Sequence, residues 1–292
     1  MSPALAYAGL VLATFGWASG FIAGKLALSA MTPLPVAAWR YGVAAAILLP
    51  FALRQRPAGG LGAAFGPLAA MVVCGGVLYP WLFLLALSRT SATNTALLIA
   101  LNPVLTLLLA PLVGERLERR CLLGVGLALA GAATVITRGE LGRLDTLSLR
   151  GGDLVAVAAA VAWAAFNVSA RGVVGHLTPA FTNCVIYALG GLVLSLFARG
   201  DHPLDQLAAA TPSALAGIVL MAVLSSVVAG QCFLVGVRTI GVSRTVVFVY
   251  LVPVLTAALA AILLGERFEL AQGFGGAAVL AGVYWSNRGP TG

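Results

Sequence analysis

The sequence predicts an all-α integral membrane protein, with ten transmembrane helices arranged as two inverted five-helix repeats around a central cavity. Three observations carry that prediction. The chain is 61% hydrophobic and 9% charged, with a mean hydropathy of +1.03, whereas soluble domains carry about 25% charged residues. Long apolar stretches alternate with short polar breaks. The first half of the chain recurs, diverged, in the second.

The apolar stretches lie at 4–28, 34–53, 63–87, 91–113, 121–137, 153–174, 180–198, 213–237, 242–264 and 270–286. Each is near the ~20 residues that cross a bilayer core as a helix. Lipid offers backbone groups no partner, so a spanning segment must be a helix or part of a closed barrel. A barrel requires alternating apolar and polar residues, a pattern these stretches lack. The first stretch has no basic flank and exceeds the core of a signal peptide, so it is expected to remain as a span. Cys74, Cys121, Cys184 and Cys232 fall in or at the edges of spans. No pair has metal-ligand spacing, and they read as small buried apolar residues. No metal and no cofactor is expected.

The repeat is explicit in the residues. Pro-Val-Leu-Thr occurs at Pro103–Thr106 and Pro253–Thr256, followed by Gly114-Glu115-Arg116 and Gly265-Glu266-Arg267. Trp17 answers to Trp163 and Tyr41 to Tyr187 at an offset of 146 residues, which grows to 150 at the shared prolines. The expected units are a first repeat at 1–138, a linker at 139–152 and a second repeat at 153–292. An odd number of spans per repeat makes the second copy enter the membrane from the opposite face. The copies are then antiparallel, with a pseudo-two-fold axis in the membrane plane and a binding site beside it. Before the linker, five cations fall on the side of the N-terminus and three on the other. That bias places both termini in the cytoplasm.

The charges exclude several functions. The formal net charge of +8 does not indicate a nucleic-acid partner, because the arginines sit at span ends, as interfacial anchors do, and not in one patch beside aromatics. All nine carboxylates and both histidines, His176 and His202, map to connections or span ends. Proton relays and cation sites use such groups inside the membrane. A hydrolase needs a nucleophile with its base, or metal ligands. The chain therefore reads as a non-enzyme that moves a small molecule.

What lies at depth is aromatic and neutral. Trp17, Trp163, Tyr41, Tyr187 and Tyr79 are candidate cavity walls, each with core packing as the alternative. A deep ring bearing a polar hydrogen wants a partner or a wet cavity. Asn102, Asn167 and Gln231 are candidate hydrogen-bonding groups for substrate. For Asn167, on the face of Trp163, pairing with another helix is the alternative. For Asn102 the alternative is the carbonyl freed by Pro103. Arg40 lies inside its span and suits a carboxylate; Lys25 and Arg171, a repeat pair, read by default as snorkelling to the interface. Gly16, Gly20 and Gly24 form a smooth stripe for close packing or sliding. Pro103 and Pro253, at matched positions, mark bends or hinges.

The two Pro-Val-Leu-Thr segments, each followed by Gly-Glu-Arg in a ten-span, two-half chain, resemble the EamA-type members of the drug/metabolite transporter superfamily. The resemblance covers essentially the whole chain. Within the superfamily the acid-free aromatic cavity is similar to that of bacterial amino-acid exporters, the YddG-like aromatic exporters among them. It implies a bacterial inner-membrane exporter working by alternating access, with both termini cytoplasmic, membrane lipids around it and a central cavity between the halves. The small four-helix relatives carry a membrane-embedded Glu in their first helix, and the first span here has none. The expected activity is facilitated export of amino acids and similar metabolites by a monomer. The alternative is a carrier of anionic or phosphorylated metabolites clamped by Arg40, Lys25 and Arg171. A multidrug exporter and a channel rank below both.

Overall fold

The computed structural model describes residues 2–57, 59–89, 95, 98–115, 117–140, 151–264 and 269–288. Among them there are helices and turns and no strand. The longer helices are α1 (Pro3–Leu28), α2 (Pro33–Arg54), α3 (Gly62–Arg89), α4 (Asn102–Val113), α5 (Arg119–Thr137), α6 (Gly152–Arg171), α7 (Pro179–Asp201) and α8 (Pro212–Ile240). Then come α9, built from Val242–Val246, a 3₁₀ turn Val247–Tyr250 and Leu251–Leu264, and α10 (Leu270–Asn287). Eight of them, all but α4 and α10, are long and apolar enough to cross a membrane. The expected count of ten is thus met in part, since α4 is short and α10 carries polar residues near its ends. Residues 141–150 of the expected linker at 139–152, most of 90–97, Arg116 and the second Gly-Glu-Arg at 265–267 lie outside the described residues.

The helix starts follow local chemistry. Ser2-Pro3, Thr32-Pro33, Thr178-Pro179 and Thr211-Pro212 open α1, α2, α7 and α8. Proline suits a first turn, where its missing N–H is not needed, and a hydroxyl caps the free donors. Thr178 accepts from the Phe181 N–H at 3.3 Å and Thr211 from that of Ala214 at 3.3 Å.

Every one of the four most extensive helix pairs joins the first half to the second: α1 with α8, α3 with α6, α2 with α7 and α5 with α10. Glycine permits these approaches. A methyl group on Gly131 would stand 2.6 Å from the Gly275 carbonyl oxygen, and one on Gly282 2.5 Å from that of Gly124. Gly131 meets Gly275 while Gly124 meets Gly282, so α5 and α10 run antiparallel. In α2 and α7, Gly42 abuts Gly191 while Ala45 lies by Cys184, and these helices also run antiparallel. Leu5, Leu12, Phe51, Phe197, Ile262 and Phe274 point outward, as the lipid-facing side of a bundle requires.

Four helices depart from regular geometry in matched pairs. α3 holds a π-helical stretch at Val72–Leu78 and α8 one at Met221–Val228; such stretches recur at functional sites because they leave carbonyls out of the regular ladder. The bends expected at Pro103 and Pro253 are breaks that precede the prolines. α4 begins at Asn102 after a turn at Ala100–Leu101, with Pro103 in its first turn. In α9 the 3₁₀ turn ends at Tyr250, three residues before Pro253. Proline offers no N–H to the carbonyl four residues earlier and its ring crowds that carbonyl, so the interruption falls upstream.

Candidate functional site

Between the halves lies a cavity of about 550 Å³. Its aromatic wall is continuous. Trp163 packs against Tyr79 (centroids 4.4 Å apart), Phe166 (4.6 Å), Trp17 (6.0 Å, edge-on) and Phe233 (6.2 Å). Edge-on and offset contacts of this kind add stabilisation beyond burial. Phe166 fits because Gly75 has no side chain to oppose it.

The adjoining wall is formed by α2 and α7. Tyr41 and Tyr187 have ring centroids 4.7 Å apart. The Tyr41 hydroxyl donates to the Gly75 carbonyl at 2.9 Å, and the Tyr187 hydroxyl to the Ser226 carbonyl at 2.8 Å. Each tyrosine thus satisfies a carbonyl of a π-helical stretch, one in α3 and the other in α8. Arg40 is 8% exposed and lines the cavity. Its Nε donates to Ser226 Oγ at 2.8 Å and its guanidinium carbon stands 5.3 Å from the Tyr41 ring centroid. Among the described residues it forms no ion pair with a carboxylate.

Lys25 at the end of α1, Arg138 at the end of α5 and Gln272 at the start of α10 also line the cavity, and Lys25 is exposed. Exposed Lys25 marks its mouth. No described carboxylate lines it. Glu115 instead accepts from the Val242 N–H (2.7 Å), the Ser243 N–H (3.0 Å) and Ser243 Oγ (2.5 Å) at the start of α9. Arg171 stands 4.0 Å away from it, and Arg244 donates to Glu118 at 2.9 Å. A carboxylate at a helix N-terminus satisfies free donors and meets the positive end of the dipole. This cluster joins the two halves outside the cavity lining.

The predicted residues divide. Trp17, Trp163, Tyr41, Tyr79, Tyr187, Arg40, Asn102, Gly20 and Pro253 line the cavity. Asn167, Gln231 and Pro103 do not. Asn167 is buried and donates to Asn102 Oδ1 at 3.0 Å and Thr106 Oγ1 at 3.0 Å, tying α6 to α4; the cost of a lone amide in lipid explains the pairing. Gln231 donates to the Pro179 carbonyl at 3.3 Å. Gly20 packs on Ser225, whose hydroxyl donates to the Gly16 carbonyl at 2.6 Å. Arg171 sits with Glu115, away from Arg40 and Lys25, so the three-cation clamp is not assembled. Sequence reasoning missed Phe83, Phe233 and Asn183 as lining residues. The first two are repeat mates at the offset of 150, a signal available from the start.

The profile of the EamA-like transporter family matches residues 4–137 and 150–288. The transporter YyaM of Bacillus subtilis is 31% identical over 90% of this chain and 87% of its own length. A protein of Streptantibioticus cattleyicolor named as a probable terminal-alkyne amino-acid exporter is 27% identical, over 96% of this chain and 92% of its own. One of Salmonella typhimurium named as a probable amino-acid metabolite efflux pump is 26% identical, over 92% and 90%. A solved crystal structure superposes with a TM-score of 0.77 at 19% identity, covering 98% of both chains, which shows a shared fold. Two matched copies across the whole length, and relatives named as transporters, identify this chain as a member of the EamA-like transporter family.

Proposed function

We propose that this transporter exports amino acids and similar small metabolites through the cavity between its halves, by alternating access and without proton coupling. The single observation that carries the reading is the chemistry of the lining: an aromatic wall beside a buried arginine, with no described carboxylate. A cavity of this size and apolar character suits a small metabolite fixed by few polar groups. The names of the Streptantibioticus and Salmonella relatives support amino acids as the class.

The two repeats, 1–138 and 153–292 about a linker at 139–152, are inverted in this reading. The antiparallel course of α2 against α7 and of α5 against α10, repeat mates in both cases, supports it. So does the exchange by which α1 pairs with α8 and α3 with α6. The cavity is open at Lys25 and closed at the Glu115 cluster. With both termini in the cytoplasm of a bacterium, the closed end faces inward. The functional unit is a monomer. The test is a substrate panel on purified protein in liposomes. Saturable downhill flux of aromatic and apolar amino acids without a pH gradient supports the proposal, and flux that requires an imposed pH gradient rejects uniport.

A further inference from the structure

We infer that Arg40 and Asn183 form a carboxylate subsite, and that the transporter recognises its substrate by an apolar body and a carboxylate, with no requirement for an α-amino group. The inference rests on the reading of this cavity as the substrate site.

Both residues reach one turn of α8. Arg40 Nε is held by Ser226 Oγ. Asn183 Nδ2 would stand 3.2 Å from a methyl group on Gly230, four residues after Ser226, and the Tyr187 hydroxyl touches the same point. Asn183 lines the cavity, is 1% exposed, and its Nδ2 has no hydrogen-bond partner. A buried amide left unsatisfied is costly. It can present either end to a ligand, since rotation about its last torsion exchanges oxygen and nitrogen.

The fold does not require either side chain. At the repeat offset of 146, Arg40 corresponds to Ile186 and Asn183 to Ala37. Ile186 is 1% exposed and Ala37 0%. Apolar residues therefore serve the equivalent positions in the same helix pair, α2 with α7. Two polar groups that break the repeat, on facing helices, at one turn of a third, point to a ligand.

The charge decides its class. A buried guanidinium without a counter-ion is costly, and an anionic ligand supplies the missing charge with bidentate hydrogen bonds. No described carboxylate in the lining answers an ammonium. Of the three amides expected to hydrogen-bond substrate, only Asn102 lies in the lining, and Asn167 and Gln231 lie outside it.

The experiment measures binding to the purified full-length protein through quenching of its tryptophan fluorescence, Trp17 and Trp163 being in the cavity wall. The probes are 3-phenylpropionate, phenethylamine and 3-phenylpropan-1-ol, which share a ring and differ in head group. The expected result is that 3-phenylpropionate binds at least tenfold more tightly than either of the others. Arg40→Gln abolishes that preference and Asn183→Ala reduces it several-fold. Equal or tighter binding of phenethylamine overturns the inference, as does an Arg40→Gln protein that keeps the preference. The wild-type ratio alone suffices should a variant fail to fold. Phenylalanine flux in liposomes separates this inference from the broader proposal. Flux without 3-phenylpropionate binding defeats only the inference, and binding without flux defeats only amino-acid export.

Discussion

Glu115 receives two hydrogen bonds from Ser243, one from its backbone N–H at 3.0 Å and one from its hydroxyl at 2.5 Å. The first residue follows α4 in the first half, and the second lies in the first turn of α9 in the other half. The Glu of the first Gly-Glu-Arg is thus a cap supplied across the interface. Glu115→Gln replaces an acceptor-only carboxylate with an amide that turns a donor toward donors. Charge-assisted bonds of this type contribute about 1.5–3 kcal/mol. The expected effect is a fall of roughly 5 °C in the unfolding midpoint in detergent, together with faster solvent entry to the cavity from that end. An unchanged midpoint contradicts the capping role.

The glycine stripe of α1 makes a contrast that can be measured. A methyl group at Gly16 would stand 2.5 Å from the Leu224 carbonyl oxygen, and one at Gly42 meets nothing within 4 Å. Gly16→Ala must push α1 from α8 and break the bond from Ser225 to the Gly16 carbonyl, at a cost of about 1–3 kcal/mol. Gly42→Ala is expected to be neutral or stabilising by a few tenths of a kcal/mol. Denaturation of the two variants side by side checks the order.

Asn167 pairs with Asn102 between α6 and α4 and lies outside the cavity lining, so its expected role is to hold the two helices together. A double-mutant cycle with alanine at both positions should return a coupling of about 0.5–2 kcal/mol in stability. Asn167→Ala should leave substrate affinity within twofold. A tenfold loss of affinity in that variant would return Asn167 to the binding site.

Arg54 and Gly200 are repeat mates at the offset of 146, and both are exposed. If the repeats are inverted, they face opposite sides of the membrane. In a background lacking the four native cysteines, Gly200→Cys should react with an impermeant thiol reagent added to intact cells. Arg54→Cys should react only after permeabilisation. Labelling of both from one side contradicts inversion, and the reverse pattern contradicts cytoplasmic termini.

The sequence carried the membrane class, the repeat and most of the aromatic wall, because apolar length and matched tryptophans are local signals. It misplaced the breaks of α4 and α9, since a proline marks an interruption whose position depends on the turn before it. The π-helical stretches left no trace: Gly75-Gly76 and Ser225-Ser226 occupy matched places in them, yet neither pair has a composition that requires a π turn. Asn167 was ambiguous in principle. Its helical face is shared by the cavity and by α4, and only the partner's position distinguishes them. Asn183 was overlooked because its repeat mate is Ala37; departure from the repeat was the informative feature there, where agreement was sought.

The most direct measurement is counterflow. Liposomes loaded with unlabelled phenylalanine and holding the transporter are diluted into labelled phenylalanine at equal pH on both sides. Transient uphill accumulation of label is predicted, saturating with concentration and falling at least tenfold with Trp163→Ala. Absence of accumulation with every aromatic and apolar amino acid, or accumulation that Trp163→Ala leaves intact, contradicts transport of amino acids through this cavity.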